Sequence, residues 1–173
     1  MRRELLLMRH AKSSHDDIVG SDFDRPLSRR GIKDALLVGS SLLADELLPD
    51  HLISSPAKRT RQTALLICEN LQIPEKSIIY KQQLYHCELE DLLEIIRHLP
   101  DDTHRPLIIG HNPSLESLLV FLCGENLPYP AKGKLLTTAS IAHIKMPGDW
   151  HALAQSCARL VRLIRPKSLR SGD

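Results

Sequence analysis

The alternation of short, continuous apolar runs with longer stretches of helical periodicity constrains this sequence more than any other feature. Leu5 to Met8 is an unbroken apolar run, suited to a strand buried on both faces. A polar loop with Gly20, Asp22, Asp24 and Pro26 follows. Ser28 then reads as the N-cap of a helix carrying Ile32, Ala35, Leu36, Leu42, Leu43 and Leu47, closed by Pro49. The unit recurs in form. His51 to Ser54 predicts a second strand, and Ser55-Pro56 a cap with proline at the first helical position. Ala57, Thr60, Ala64, Ile67, Cys68 and Leu71 mark the face of the helix that follows. Ile78 to Tyr80 predicts another strand, and Leu89, Leu92, Leu93, Ile96 and Leu99 a helix stopped by Pro100. Pro106 to Ile109 predicts a strand that turns through Gly110-His111-Asn112-Pro113 into a helix with Leu115, Leu118, Leu119 and Leu122. Ser140 to Met146 predicts a late strand. Strands alternating with helices imply an α/β layered domain with a largely parallel sheet. Beyond Trp150 two patterns compete: a helix face on Trp150, Leu153, Ala154, Cys157, Leu160, Val161 and Ile164, or an edge strand over Leu160 to Ile164.

A length of 173 residues suits one domain, spanning 1–173, with the last few residues, Lys167 and Arg170 nearby, a polar tail. With 23 basic and 21 acidic residues the charges nearly cancel, so no broad basic field is available for a polyanion. Aromatic residues, at 3%, give few stacking platforms, and no nucleic-acid partner is expected. Cys68, Cys87, Cys123 and Cys157 contain no C-x-x-C pair and read as reduced, core-packing thiols. No apolar run approaches a membrane span, and Arg9-His10 ends the N-terminal run too early for a signal peptide. A soluble, cytoplasmic protein without membrane contact is the expectation; the oligomeric state stays open.

Three segments carry possible chemistry, each just after a predicted strand, the rim where open α/β sheets bind ligands. They are Arg9-His10-Ala11-Lys12, Ser54-Ser55-Pro56-Ala57-Lys58-Arg59 and Gly110-His111-Asn112-Pro113. Taken singly, each is ordinary: Arg59 between Lys58 and Arg61 could be a solvated helix residue, and His111 a turn histidine. If the strands are parallel neighbours, two histidines and several cations converge. Arg9 and Arg59 would then offer planar forks matched to phosphate oxygens, and helix N-termini after Pro56 and Pro113 would add positive potential. There is no Walker-type glycine-rich loop, no H-E-x-x-H spacing and no carboxylate in the three segments, so no metal and no cofactor is expected. A metal-free phosphate site holding a histidine suggests a histidine nucleophile. His15, His51, His86, His98, His104, His143 and His151 lack such context and read as surface or core-edge residues.

Arg9-His10-Ala11 resembles the Arg-His-Gly/Ala signature of the histidine phosphatase superfamily, the phosphoglycerate mutase-like fold. Ser54-Ser55-Pro56-x-x-Arg59-x-x-Gln62-Thr63-Ala64 is similar to its second arginine motif, and Gly110-His111-Asn112-Pro113 to its second histidine motif. The short length, Asp24-Arg25-Pro26-Leu27-Ser28-x-x-Gly31 and Leu160-Val161-Arg162-x-Ile164-x-Pro166 most resemble the SixA-type phosphohistidine phosphatase branch. The resemblance implies a three-layer α/β/α sandwich with a mostly parallel sheet, and extended structure in the tail. It implies that His10 is the phosphorylated nucleophile, that Arg9 and Arg59 bind phosphate, and that His111 completes the pocket. Arg25, Lys12 and Asn112 are further candidates for substrate contact. Larger members supply an acidic proton donor from the segment that here reads Leu84-Tyr85-His86-Cys87-Glu88-Leu89-Glu90; Glu88, Glu90 or neither could serve.

Chemistry then sets further expectations. A nucleophilic His10 must be neutral, which neighbouring cations favour, and its second ring nitrogen should donate to a fixed acceptor such as a backbone carbonyl. The activity implied is a metal-independent phosphatase acting through a phosphohistidine intermediate, most simply on phosphohistidine of a protein. Two alternatives stay open: a phosphatase of a small phosphorylated metabolite, and a binding module that holds a phosphorylated ligand without turnover. The presence of both His10 and His111 favours an enzyme, since a binder needs arginines but no nucleophile.

Overall fold

A computed structural model describes residues 3–14, 20–124 and 127–171. In chain order the elements are β1 (Arg3–Arg9), α1 (Arg29–Ala44), β2 (His51–Ser54), α2 (Lys58–Leu71), β3 (Ile78–Tyr80), α3 (Leu89–Arg97), β4 (Pro106–Gly110), α4 (Ser114–Cys123), β5 (Ile141–Met146), β6 (Arg159–Ile164) and α5 (Pro166–Ser171). His15 lies outside the described residues.

The strands form one sheet in the order β3-β2-β4-β1-β5-β6. The pairs β2–β3, β2–β4 and β1–β4 are parallel, and only β5 runs against its neighbours. The chain moves from β1 outward to β2 and β3, then reverses to β4. Because crossovers between parallel strands are right-handed, reversing direction moves the connecting helix to the other face. Accordingly α1 and α2 pack with Leu6, Met8, Leu52, Leu107 and Ile109 on one side, while α3 and α4 pack with Leu5, Leu7, Ile53 and Ile108 on the other. Both faces of β1 and β4 are covered, which is why their sequences are unbroken apolar runs rather than alternating ones.

Several local expectations are refined. Ser28 caps α1, its Oγ accepting from Gly31 N–H. Yet Ile32 and Leu43 stay 39% and 48% exposed, and the buried stripe of α1 is instead Gly31, Asp34, Ala35, Val38, Gly39 and Leu42. Two glycines and an aspartate hide that stripe from an apolar count. Pro56 is not the first helical residue: α2 starts at Lys58 with Ala57 as its N-cap, so Pro56 precedes the cap. The tail is extended over Arg159–Ile164 and pairs with β5 as the edge strand. Trp150, rather than heading a helix, is buried with its Nε1–H donating to Thr103 O at 3.0 Å. Pro166–Ser171 forms a short helix where a polar tail was expected, and Arg170 pairs with the buried Asp34 of α1.

Candidate active site

Parallel pairing brings the three motifs together. Arg9 is in register with Gly110, and Ser54 with Ile109, so β2, β4 and β1 end level with one another. Their C-terminal ends open into a cavity of about 420 Å³ whose walls include Arg9, His10, Arg25, Arg59, His111 and Asn112.

His10 is buried, and its Nδ1 lies 2.7 Å from Ala11 O. A carbonyl can only accept, so Nδ1 carries the proton and Nε2 keeps its lone pair. The loop holding this ring is fixed from several sides. His10 N–H donates to Gly110 O at 3.1 Å, and Ala11 N–H to Thr63 Oγ1 at 3.0 Å. Thr63 Oγ1 in turn donates to Arg59 O at 2.7 Å. Ser28 donates to Lys12 O through both its backbone N–H, at 2.8 Å, and its Oγ, at 3.0 Å. Gly31 is required at this junction: a Cβ there would sit 2.1 Å from Lys12 O. Gln62 Oε1 accepts from Leu27 N–H at 2.7 Å and so ties the segment after Arg25 to α2.

Arg59 enters from the first turn of α2 and is only 5% exposed. Its Nη1 donates to Asp22 O at 2.7 Å, and its Nη2 pairs with Asp22 Oδ2 at 3.1 Å. The same Nη2 is 3.4 Å from His111 Nδ1. Guanidinium nitrogens only donate, so His111 Nδ1 is the bare nitrogen, and Nε2–H donates to Ser55 Oγ at 2.9 Å. The two imidazoles have centroids 5.2 Å apart. Arg25 joins through Asp22 Oδ1 at 2.9 Å, and Arg9 Nη1 donates to Leu136 O at 3.1 Å. Nε of Arg9 and Nε of Arg59 are buried without an acceptor among the described residues.

Both histidines are held neutral. Burial is the main cause that lowers the His10 pKa to about 4, with Arg59, Arg9 and Arg25 adding to it against the opposing bond to Ala11. The His111 pKa falls to about 3, again chiefly by burial, then through His10 and Arg59. Desolvation contributes more to this than the neighbouring cations do. Burial opposes ionisation of Asp22, but Arg59, Arg25 and the Tyr85 hydroxyl outweigh it, so its carboxyl titrates below its usual range.

The remaining candidates divide. Asn112 reaches the cavity, but its Nδ2–H₂ group donates to Glu116 Oε1 and Leu136 O, both at 3.0 Å, which makes it a tie between two loops. Lys12 is exposed and lines a neighbouring opening rather than this cavity. Glu88 stands on the cavity wall. Glu90 pairs with Arg97 at 2.7 Å and its side chain is 75% exposed. Three further residues belong to the site without a signal in the sequence that marks them. Asp22 lies in a polar loop and has no periodicity to mark it. Tyr85, whose hydroxyl is 3.2 Å from Asp22 Oδ2, and His86, with ring centroids 4.0 Å apart, also line the cavity. His86 is exposed, as expected of a surface residue, and also stands on the cavity wall. His143 is buried on β5, with Nε2 3.4 Å from Glu4 Oε2.

Among the described residues no three His, Cys, Asp or Glu side chains cluster so as to hold a metal ion, and no helix is long and apolar enough to cross a membrane. A family profile described as histidine phosphatase superfamily (branch 1) matches residues 5–95. An uncharacterised protein of Mycobacterium tuberculosis is 32% identical over 164 residues, covering 92% of this chain and 100% of that protein. A SixA-type protein of Nakamurella multipartitia superposes with a TM-score of 0.78 at 28% identity, over 96% of this chain and 97% of that one. The protein histidine phosphatase SixA, solved with tungstate, superposes with a TM-score of 0.80 at 23% identity, over 96% and 99%. The fold is phosphoglycerate mutase-like, a mostly parallel six-stranded sheet between helical layers.

Proposed function

The chain belongs to branch 1 of the histidine phosphatase superfamily, and on that premise we propose that it is a metal-independent phosphatase that hydrolyses phosphohistidine on a protein through a phosphorylated His10. The observation that carries this reading is the geometry of His10: Nδ1 is committed to Ala11 O, leaving Nε2 with a lone pair in a cavity walled by Arg9, Arg25, Arg59 and His111. The tungstate complex of the SixA relative supports it, since tungstate is a tetrahedral oxyanion of phosphate's shape.

In the first step His10 Nε2 attacks phosphorus, the bond from phosphorus to the leaving group breaks, and the leaving group takes the electron pair. Arg9, Arg59 and His111 hold the oxygens on which charge is concentrated. His111 can donate only when Nδ1 is protonated or its ring turns, because the bare Nδ1 faces Arg59 in the resting site. In the second step water attacks phosphorus, the bond to His10 Nε2 breaks, and phosphate departs with His10 neutral again. The permanent arginine charges do the neutralising that a divalent cation does in other phosphate sites.

The leaving group distinguishes the possible substrates. An alkyl phosphate expels a strongly basic alkoxide and depends on a placed acid. A phosphohistidine expels imidazole, a much weaker base. Asp22 is held ionised and Glu90 is turned to Arg97, which among the described residues leaves Glu88 as the carboxyl on the wall that could act as an acid. The expected order of kcat/KM is protein phosphohistidine, then aryl phosphate, then alkyl phosphate, all unaffected by a chelator. Glu88→Gln and Glu90→Gln should leave phosphohistidine hydrolysis within about twofold. A small sugar phosphate as the best substrate, with its turnover abolished by Glu88→Gln, would instead establish an acid-assisted metabolite phosphatase.

A further inference from the structure

We propose that a second, cationic lobe of the active-site opening docks an acidic flank of the phosphoprotein substrate. The proposal deepens the reading above and rests on it for the substrate's being a protein. The lobe has a volume of about 550 Å³ and is lined by Lys12, Arg25, Arg30 and Lys134, with no aspartate or glutamate lining it among the described residues. It meets the catalytic cavity at Arg9, His10 and Arg25. A phosphoryl group in line with His10 therefore has this cationic surface beside it.

The two lobes use their cations differently. In the catalytic cavity Arg59 is 5% exposed and fixed by Asp22, the arrangement that suits one oxyanion in one orientation. In the second lobe Lys12 and Lys134 are exposed, and Arg30, whose Nε is 3.6 Å from Asp34, keeps a side chain 63% exposed. Exposed ammonium groups on flexible stems suit several carboxylates of variable position, which is the character of an acidic protein surface rather than of one more phosphate. The catalytic cavity is mixed in sign, since Asp22 and Glu88 stand on its wall beside the arginines. A cationic lobe beside a cavity of mixed sign orients an incoming acidic partner as well as attracting it. The net charge of +2 makes this local patterning, not overall attraction.

Two synthetic peptides of equal length test the proposal, each with one central histidine, one flanked by glutamates and one by glutamines. In the unphosphorylated form both are used as competitors of p-nitrophenyl phosphate hydrolysis. The glutamate peptide should inhibit on the order of five- to tenfold more strongly, and the difference should shrink as salt rises and the Debye length contracts. In Arg30→Gln/Lys134→Glu the difference should vanish while p-nitrophenyl phosphate turnover stays within about twofold. Equal inhibition by the two peptides, or a preference that survives in the double variant, would overturn the lobe's role. Hydrolysis of the same peptides after phosphorylation of the histidine by phosphoramidate tests the substrate separately. If neither phosphopeptide is hydrolysed although glutamate competition persists, the phosphohistidine reading fails and the acid-binding lobe stands. If both are hydrolysed at equal kcat/KM, the substrate reading stands and the docking proposal falls.

Discussion

At the scale of single residues, direction matters more than identity. Lys58 and Arg59 are adjacent cations on the first turn of α2, yet Lys58 is exposed while Arg59 is buried against Asp22 and His111. Arg59→Ala should lower kcat/KM by about 10² to 10³, the scale of losing one charge-stabilising donor, and Lys58→Ala by less than about threefold. Steady-state kinetics on an aryl phosphate separates them; equal, small losses would mean that Arg59 does not hold the reacting phosphate. His10→Ala should abolish turnover and the acid-labile, base-stable label trapped by rapid quenching. Label on a serine or cysteine would contradict the assignment. In the free enzyme, NMR of the His10 ring carbons should show a neutral ring with the Nδ1–H tautomer, titrating near 4. A midpoint near 6.5, the ordinary value, would show that the ring is not desolvated as described.

At the scale of elements, the site depends on contacts between α1, α2 and the loop after β1. Gly31 of α1 admits the Lys12 carbonyl, and a methyl group there must displace either the helix or the loop carrying His10. Gly31→Ala should therefore reduce stability by about 1 to 3 kcal/mol, as overpacking does, and also lower kcat. Urea unfolding and kinetics on the same sample check both, and an unchanged kcat would mean that the loop is held without α1. Thr63→Val removes the acceptor of the buried Ala11 N–H. It should cost about 1 to 3 kcal/mol, the penalty of an unpaired buried donor, while Thr63→Ser restores most of it. Gln62 and Thr63 belong to the second arginine motif, and each has a mechanical task, holding the segment after Arg25 and the loop after His10.

At the scale of the whole molecule, buried neutral histidines link stability to pH. The pKa values of His10 and His111 lie at about 4 and about 3, below the 6.5 of an ordinary histidine. Between those folded values and 6.5 the unfolded chain binds more protons, so unfolding free energy rises with pH and falls as the solution is acidified. Burial also lowers the pKa of His143, more than Glu4 raises it, which adds in the same direction. The thermal midpoint should drop between pH 7 and pH 5, and His10→Asn/His111→Asn should show a shallower dependence. The same slope in that variant would place the pH-sensitive groups outside the active site.

The sequence by itself determined the alternating elements, the positions of the motifs after β1, β2 and β4, and the charge types of the site, because apolar runs, caps and proline stops are local signals. The strand order was not local. The motifs converge only because β4 inserts between β1 and β2, a long-range pairing that no spacing encodes. The tail had two periodicities of equal merit, and the free edge of β5 decided for a strand. The buried stripe of α1 is not legible from apolar spacing because Gly31, Gly39 and Asp34 are buried there by close approach and by pairing rather than by hydrophobicity. Asp22, Tyr85 and His86 became part of the site through loops brought over its mouth. Burial, which neutralises the histidines more than the cations do, is a property of the packed molecule alone, since desolvation depends on every atom that excludes water from a ring and not on its neighbours in sequence.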